Sequence, residues 1–302
     1  MITLQNQKLL VKISTGRGAR IEHFIDKETN KDWVWKPDSI PGDGTEELAL
    51  EAGFDANWAG GWEEVFPNDA PAEIKTYQLK DHGEVWRKSW KREDNGKNEH
   101  EASFSFTCET YPVHVKKTFV LNAFQAEMVI DYEVKNMTSD HLPFIFKFHP
   151  ALNITEGDKF IFPDSSMEPV ALGFSRIIGK EGKTAFPFGE DAVGNKVSID
   201  TVRSADGFSR EFVKINELRK GNCALYNPQT RKELAFEFLK EELPYVWLFQ
   251  SYGGFEGHYV AMMEPTNAGH YDLKEASEKG KCGLLCPDET VNFSLTIKLR
   301  EV

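Results

Sequence analysis

Long apolar runs are missing from this chain of 302 residues. No stretch approaches the roughly 18 consecutive apolar positions that a membrane-spanning helix needs. The amino-terminal MITLQNQKLLVKIS has neither the basic start nor the extended apolar core of a signal peptide. A cytoplasmic protein without a membrane partner is therefore expected. Positive charge is scarce as well: 36 Lys and Arg stand against 48 Asp and Glu, for a formal charge of −12. That balance excludes an extended nucleic-acid surface, which needs clustered cations. It also weighs against highly anionic ligands, unless a local Arg pocket overrides the general field. Cysteine is confined to Cys108, Cys223, Cys282 and Cys286. Cys282 and Cys286 form a lone C-x3-C with no second pair at zinc-ribbon spacing, so reduced thiols are expected.

The familiar signatures of catalysis are lacking too. There is no H-x-H, H-E-x-x-H or EF-hand pattern for a metal. No G-x-S-x-G elbow, phosphate-binding loop or dinucleotide fingerprint follows a strand. Helical periodicity is sparse. The clearest helix start is Asp272-Leu273-Lys274-Glu275, a capping-box-like pattern that Gly280 would end. No recurring segment is long enough for a βαβ crossover, which argues against a parallel sheet.

What the chain has instead is period-two alternation, which places one row of apolar side chains on one sheet face. Leu9, Val11 and Ile13 alternate with other residues near the start; Phe104 and Phe106 do so in SFSFT, and Met128, Ile130, Tyr132 and Val134 in EMVIDYEVKN. Leu234, Phe236 and Phe238 follow the same rule, as do Val291, Phe293, Leu295, Ile297 and Leu299 near the end. The fold class predicted is all-β, a large antiparallel β-sandwich. Two segments rich in Gly, Pro and acidic residues, Pro37 to Asn57 and Gly179 to Asn195, read as long loops on one scaffold. Residues 1–302 are expected to form a single domain.

Four stretches could carry chemistry. In PFIFKFHP, Phe144, Phe146 and Phe148 face one way while Ile145, Lys147 and His149 face the other. Pro150 cannot continue a central ladder, so His149 should lie near a strand end; alone, it fits a structural His equally well. GGWEEVFPN supplies Trp62, Glu63 and Glu64 after Trp58, the aromatic faces and hydrogen-bonding groups a hexose needs. Adjacent carboxylates on an extended segment point to opposite faces, which makes Glu63 and Glu64 a poor glycosidase pair. In DHGEVW, His82 beside Gly83 could approach a ligand closely or form an exposed turn. VWLFQSYGGFEGHYVAMMEP brings Gln250 near the strand that carries Glu264. Glu264 after an apolar run is either a partly desolvated base or, more simply, an edge charge.

Taken in order, GARIEHFIDKETNKDWVW, GGWEEVFPN, DHGEVW, FKFHPALNI and VAMMEPTNAG resemble the aldose 1-epimerase (galactose mutarotase-like) family over nearly the whole chain. The resemblance implies the galactose mutarotase-like supersandwich and an isomerase that exchanges the α and β anomers of a free aldose. It implies that His149 is the general acid on the ring oxygen and Glu264 the base on the anomeric hydroxyl. It places a second pocket histidine at His82, with Glu64, Gln250 and Trp62 as sugar contacts. Neither a metal nor an organic cofactor is required. The partner expected is a small sugar, with the chain acting as a monomer or homodimer. Galactose mutarotases carry an Asn-Arg pair and a Leu-His-Gly-Gly stretch where this chain has GRGARIEHF and DHGE, so no sugar-contacting Arg is evident. A hexose-6-phosphate epimerase, using Arg20, Arg87 or Lys147 for the phosphate, and a carbohydrate-binding protein without turnover are the alternatives.

Overall fold

Strand pairing follows the alternation. In the computed structural model, which describes residues 1–38, 45–94, 96 and 98–302, the Glu127–Asn136 strand lies between Val113–Leu121 and Thr290–Glu301. It buries Met128, Ile130, Tyr132 and Val134 on one face, and the last strand adds Phe293, Leu295, Ile297 and Leu299 to the same core. These belong to an eight-stranded sheet in the order Lys159–Ile161, Asn222–Asn227, Lys232–Phe238, Thr290–Glu301, Glu127–Asn136, Val113–Leu121, Glu101–Thr107, Lys91–Arg92. A ten-stranded sheet has the order Ile2–Gln5, Leu9–Ile13, Ile21–Asp26, Trp62–Val65, Lys147–Pro150, Tyr259–Thr266, Tyr245–Tyr252, Arg210–Asn216, Ser166–Pro169, Thr184–Ala185. The strand pairs within both sheets are antiparallel.

The inner faces meet as a sandwich. Trp62 and Phe148 of the larger sheet pack edge-on to Phe236 of the smaller, with ring centroids 5.8 and 5.5 Å apart. Phe146 packs on Tyr132 at 4.8 Å. One apolar cluster runs from Leu4 to Leu299. Each fully buried large aliphatic or aromatic side chain contributes about 1.5–3 kcal/mol relative to exposure, so this cluster dominates stability.

The strands Lys147–Pro150 and Tyr259–Thr266 lie side by side in the middle of the larger sheet. Phe148, Ala261 and Met263 point inward to the core. Lys147, His149, Val260, Met262 and Glu264 take the outer face by alternation. That outer face does not meet water directly. A second apolar cluster covers it, with Phe54, Trp58 and Trp86 against Ala151, Phe249, Val260 and Met262.

Helix is confined, among the described residues, to Phe54–Asn57 and Leu273–Glu278. The second begins where expected: the Asp272 side chain accepts from the Glu275 N–H, and Gly280 follows with φ 62°. No helix is long and apolar enough to cross a membrane among the described residues. Two loop expectations change. Residues 39–44 of the first lie outside the described residues, and its end forms the Phe54–Asn57 turn. The second, Gly179 to Asn195, carries the edge strand Thr184–Ala185 and one arm of the hairpin Phe188–Glu190/Lys196–Ser198. These strands are too short for alternation to reveal.

Candidate active site

The two distant stretches converge. His149 sits opposite Glu63 in one ladder, while Lys147 sits opposite Thr266 in the next. Glu264 is two residues before Thr266 on that neighbouring strand, so the ladder brings its carboxylate toward the imidazole. His149 Nε2 lies 3.4 Å from Glu264 Oε1. Both are almost fully buried and line a cavity of about 320 Å³ with Phe54, Trp58, His82 and Lys147. Glu264 is thus an interior residue of a central strand rather than the edge charge its flanking sequence also allowed.

Electrostatics in the cavity follow from burial. Desolvation pushes the Glu264 carboxyl up to about 7, although Lys147 pulls against it. Desolvation, together with the charges of His82 and Lys147, holds His149 well below its usual value. His149 Nδ1 has no hydrogen-bond partner among the described residues. Lys147 lies 2.6 Å from Asp69 Oδ2 and 3.1 Å from Glu264 Oε2, an ion pair on both sides. Burial opposes its charge, but these two carboxylates outweigh the penalty and raise its pKa.

His82 is set by backbone geometry. It adopts φ 57° and is followed by Gly83 at φ 68°. A Cβ on Gly83 would stand 2.0 Å from the Phe66 carbonyl oxygen, so only glycine fits this turn. The imidazole stacks on Phe54 at 3.8 Å and 3°, with Nδ1 3.0 Å from Asp81 Oδ2 and Nε2 3.8 Å from Asp69 Oδ1. Burial disfavours its charge, yet the contact with Asp81 and the charges of Asp69 and Asp81 prevail and raise its pKa.

Three expected sugar contacts lie elsewhere. Glu64 points between the sheets, where it accepts from Lys117 Nζ at 2.5 Å and Tyr132 OH at 2.9 Å. Its neighbour Glu63 shares the outer face with His149 by register. Glu63 is pushed up to about 7 by burial, against Arg20 and Arg17, and neither of its oxygens finds a hydrogen-bond partner among the described residues. Gln250 is fully buried and donates from Nε2 to the Ile199 carbonyl at 2.7 Å. Trp62 packs on Phe24 at 5.1 Å and donates to the Ala151 carbonyl at 2.9 Å. None of the three lines the cavity. Alternation explains each: Glu63, next to both Trp62 and Glu64, and Phe249, next to Gln250, take the other face.

Sequence reasoning passed over Phe54, Asp69, Asp81, Phe212 and Phe249, which line the cavity. Asp69 follows directly on the Pro67-Asn68 end of a motif already singled out, and Asp81 precedes His82. The phenylalanines carried no signal distinct from core residues. A larger hollow of about 580 Å³ near the carboxy-terminal strand contains none of these groups. Two of its cations are paired, Lys232 with Glu28 and Lys298 with Glu127. Among the described residues, no group of three or more His, Cys, Asp or Glu could hold a metal ion.

Comparison with known proteins bears on the fold and the family. No curated protein sequence matches significantly. Solved structures do match over whole chains. A galactose mutarotase-like protein from Lactobacillus casei ATCC 334 is 18% identical, with 99% of this chain and 100% of that one covered and a TM-score of 0.67. A galactose mutarotase-like protein from Clostridium acetobutylicum is 13% identical, covering 99% and 95%, with a TM-score of 0.70. A galactose mutarotase related enzyme from Lactobacillus acidophilus is 15% identical, covering 99% and 97%, with a TM-score of 0.69. At such identities these neighbours establish the fold alone. The family itself comes from sequence: the aldose 1-epimerase model matches residues 1–168, more than half of the length. This chain belongs to the aldose 1-epimerase family.

Proposed function

We propose that the chain exchanges the α and β anomers of a free aldose by opening and reclosing the ring. The observation that carries this reading is the 3.4 Å approach of His149 to Glu264 inside a sugar-sized cavity. Ring opening must take a proton from the anomeric oxygen and give one to the ring oxygen. Glu264 accepts the first, C1–O1 becomes a carbonyl, and the C1–O5 electron pair moves onto O5, which takes a proton from the His149 imidazolium. Rotation about C1–C2 presents the other carbonyl face, and the same two transfers run backwards on closure.

The pair works with one shared proton. With it on His149, the carboxylate is the base and the imidazolium the acid; with it on Glu264, the roles exchange. Burial in the cavity favours the uncharged arrangement, the carboxyl raised to about 7 and the imidazole lowered. A single proton crossing between the two groups interconverts the arrangements. Neighbouring His82, held toward its charged form by Asp81 and Asp69, is suited to donate to a sugar hydroxyl.

A phosphorylated sugar fits less well. Arg20 is buried against Glu22 at 2.7 Å, and Arg87 donates to the carbonyls of Leu50 and Gly83. Neither lines the cavity, whose one Lys is already paired with two carboxylates. The experiment is NMR exchange spectroscopy on aldoses and their 6-phosphates. Glu264→Gln and His149→Asn are each expected to lower the enzymatic exchange rate about 10²–10⁴-fold in a folded protein. Wild-type rates in both variants would rule the reading out, and saturable sugar binding without exchange would point to a binding protein.

A further inference from the structure

Two segments outside the sheets wall one side of the cavity, and one side chain joins them. Val170, Ala171 and Phe174 come from the connection that follows the Ser166–Pro169 strand, and Phe255 from the turn between Tyr245–Tyr252 and Tyr259–Thr266. The rings of Phe174 and Phe255 lie 5.6 and 5.5 Å from Phe249 and 6.1 Å from each other. Apolar contact is non-directional and does not by itself fix where the two segments sit. Arg210 supplies the direction. It opens the Arg210–Asn216 strand, opposite Ser251 in the ladder. Its Nε donates to the Phe174 carbonyl at 2.9 Å and its Nη1 to the Gly254 carbonyl at 2.8 Å. Its Cζ lies 4.4 Å from the centroid of the Phe174 ring, within cation–π range. A planar fork with donors on separate nitrogens can serve two carbonyls and a ring face at once, which a lysine ammonium cannot.

Neighbouring side chains each stay with one segment. Arg176 Nη1 approaches the Phe174 carbonyl at 3.4 Å, but its other acceptors, the Gly173 and Ser175 carbonyls, belong to the same connection. Ser251 Oγ accepts from the Phe255 N–H at 3.1 Å and donates to the His258 carbonyl, both within the turn. Among the described residues, Arg210 is the side chain hydrogen-bonded to both. We propose that Arg210 is a positioning residue that clamps the two segments together beside the cavity and so sets how tightly the cavity holds its sugar. The inference rests on the anomer-exchange reading of the same cavity. Arg210 does not line the cavity and acts through Phe174 and Phe255. His149 and Glu264 stand on other strands, so the proton transfers keep their spacing when the clamp is lost.

The test is Arg210→Gln and Arg210→Lys, each with its fold verified by circular dichroism, assayed by NMR exchange spectroscopy on D-galactose and D-glucose. In Arg210→Gln the KM for the exchanged sugar should rise about tenfold, the effect of losing roughly one charged hydrogen bond, with kcat held within about twofold. Arg210→Lys, which keeps the charge but reaches one carbonyl at a time, should fall between. A residue that only stabilises the fold would lower Tm without this split. An unchanged KM, or a kcat that falls as far as KM rises, would overturn the inference and leave the catalytic reading standing. Hydrogen-exchange mass spectrometry on the sugar-free protein should show both segments exchanging faster in Arg210→Gln; acceleration in one alone, or in neither, also overturns it. If Arg210→Gln does not fold, Arg210→Lys decides by the same criteria. If the wild type exchanges no sugar, the catalytic reading falls and saturation-transfer NMR titration decides the inference. Weaker sugar binding in the variant sustains it; equal binding, or none, overturns it.

Discussion

Lys147 Nζ stands 3.1 Å from Glu264 Oε2 and 4.1 Å from the centroid of the Trp247 ring, with Asp69 on its other side. This buried ammonium lowers the proton affinity of both the carboxyl and the imidazole it faces. Removing it in Lys147→Met should therefore move the whole pH profile of anomer exchange to higher pH, besides lowering kcat/KM. A purely structural lysine would lower Tm and leave the profile in place. Lys147→Arg, which keeps the charge, should restore part of the wild-type profile.

The pH dependence of the wild type follows from the shared proton. Above about 7 Glu264 loses its proton while His149 is already neutral, so the pair has nothing to donate. Below the depressed pKa of His149 both groups are protonated, and the pair has no base. Exchange should peak on the acidic side of neutrality and fall as pH rises past about 7. A kcat/KM that keeps climbing through pH 8 and 9 contradicts the assignment.

Glu64 is a structural residue in this geometry. Its carboxylate joins Lys117 of the opposite sheet, which also donates to the Gly18 carbonyl at 2.8 Å. Glu64→Ala leaves that ammonium buried with no carboxylate beside it, a change that costs about 3–5 kcal/mol. Chemical denaturation should show the loss. The folded fraction of the milder Glu64→Gln variant should keep its KM for sugar within about twofold, because Glu64 does not line the cavity.

Glu63 gives a pH signature in stability. Its folded pKa, about 7, lies above its unfolded value near 4.5. The folded state therefore holds the proton more tightly, and the associated stability is fully present below about 4.5 and lost as pH rises through 7. Glu63→Gln has no such loss. Relative to the wild type, the variant should gain up to about 3 kcal/mol between pH 5 and pH 8. Parallel stability curves over that range would show that Glu63 does not bury a proton.

Much of this was legible in the sequence, for reasons visible in particular residues. The long strands, such as Glu127–Asn136 and Thr290–Glu301, bury one face only, so their alternation is plain. The Asp272 cap is local and reads from four residues. His149 and Glu264 are marked by the ordered motifs FKFHPALNI and VAMMEPTNAG that carry the family resemblance, but their meeting depends on which strands neighbour each other, and no local pattern encodes that. The misplaced residues share one cause. Around Trp62–Val65 and Tyr245–Tyr252 both faces are buried, one in the core and one under the second cluster. Polar and apolar residues then alternate without saying which face is which, so nothing local marks Glu64 and Gln250 as turned away from the cavity. The cavity phenylalanines were hidden for the same reason, since apolar wall and apolar core are built from the same amino acids.

His149 and Glu264 hang from adjoining hydrogen-bonded strands, whereas Phe54, Trp58, Phe174 and Phe255 arrive on connecting segments outside the sheets. On the proposed reading, the proton-transfer pair is thereby anchored to the sheet, while the part of the cavity wall made by Phe54, Trp58, Phe174 and Phe255 is not. Substitutions in those connections would reshape the wall and leave the 3.4 Å spacing of His149 and Glu264 in place.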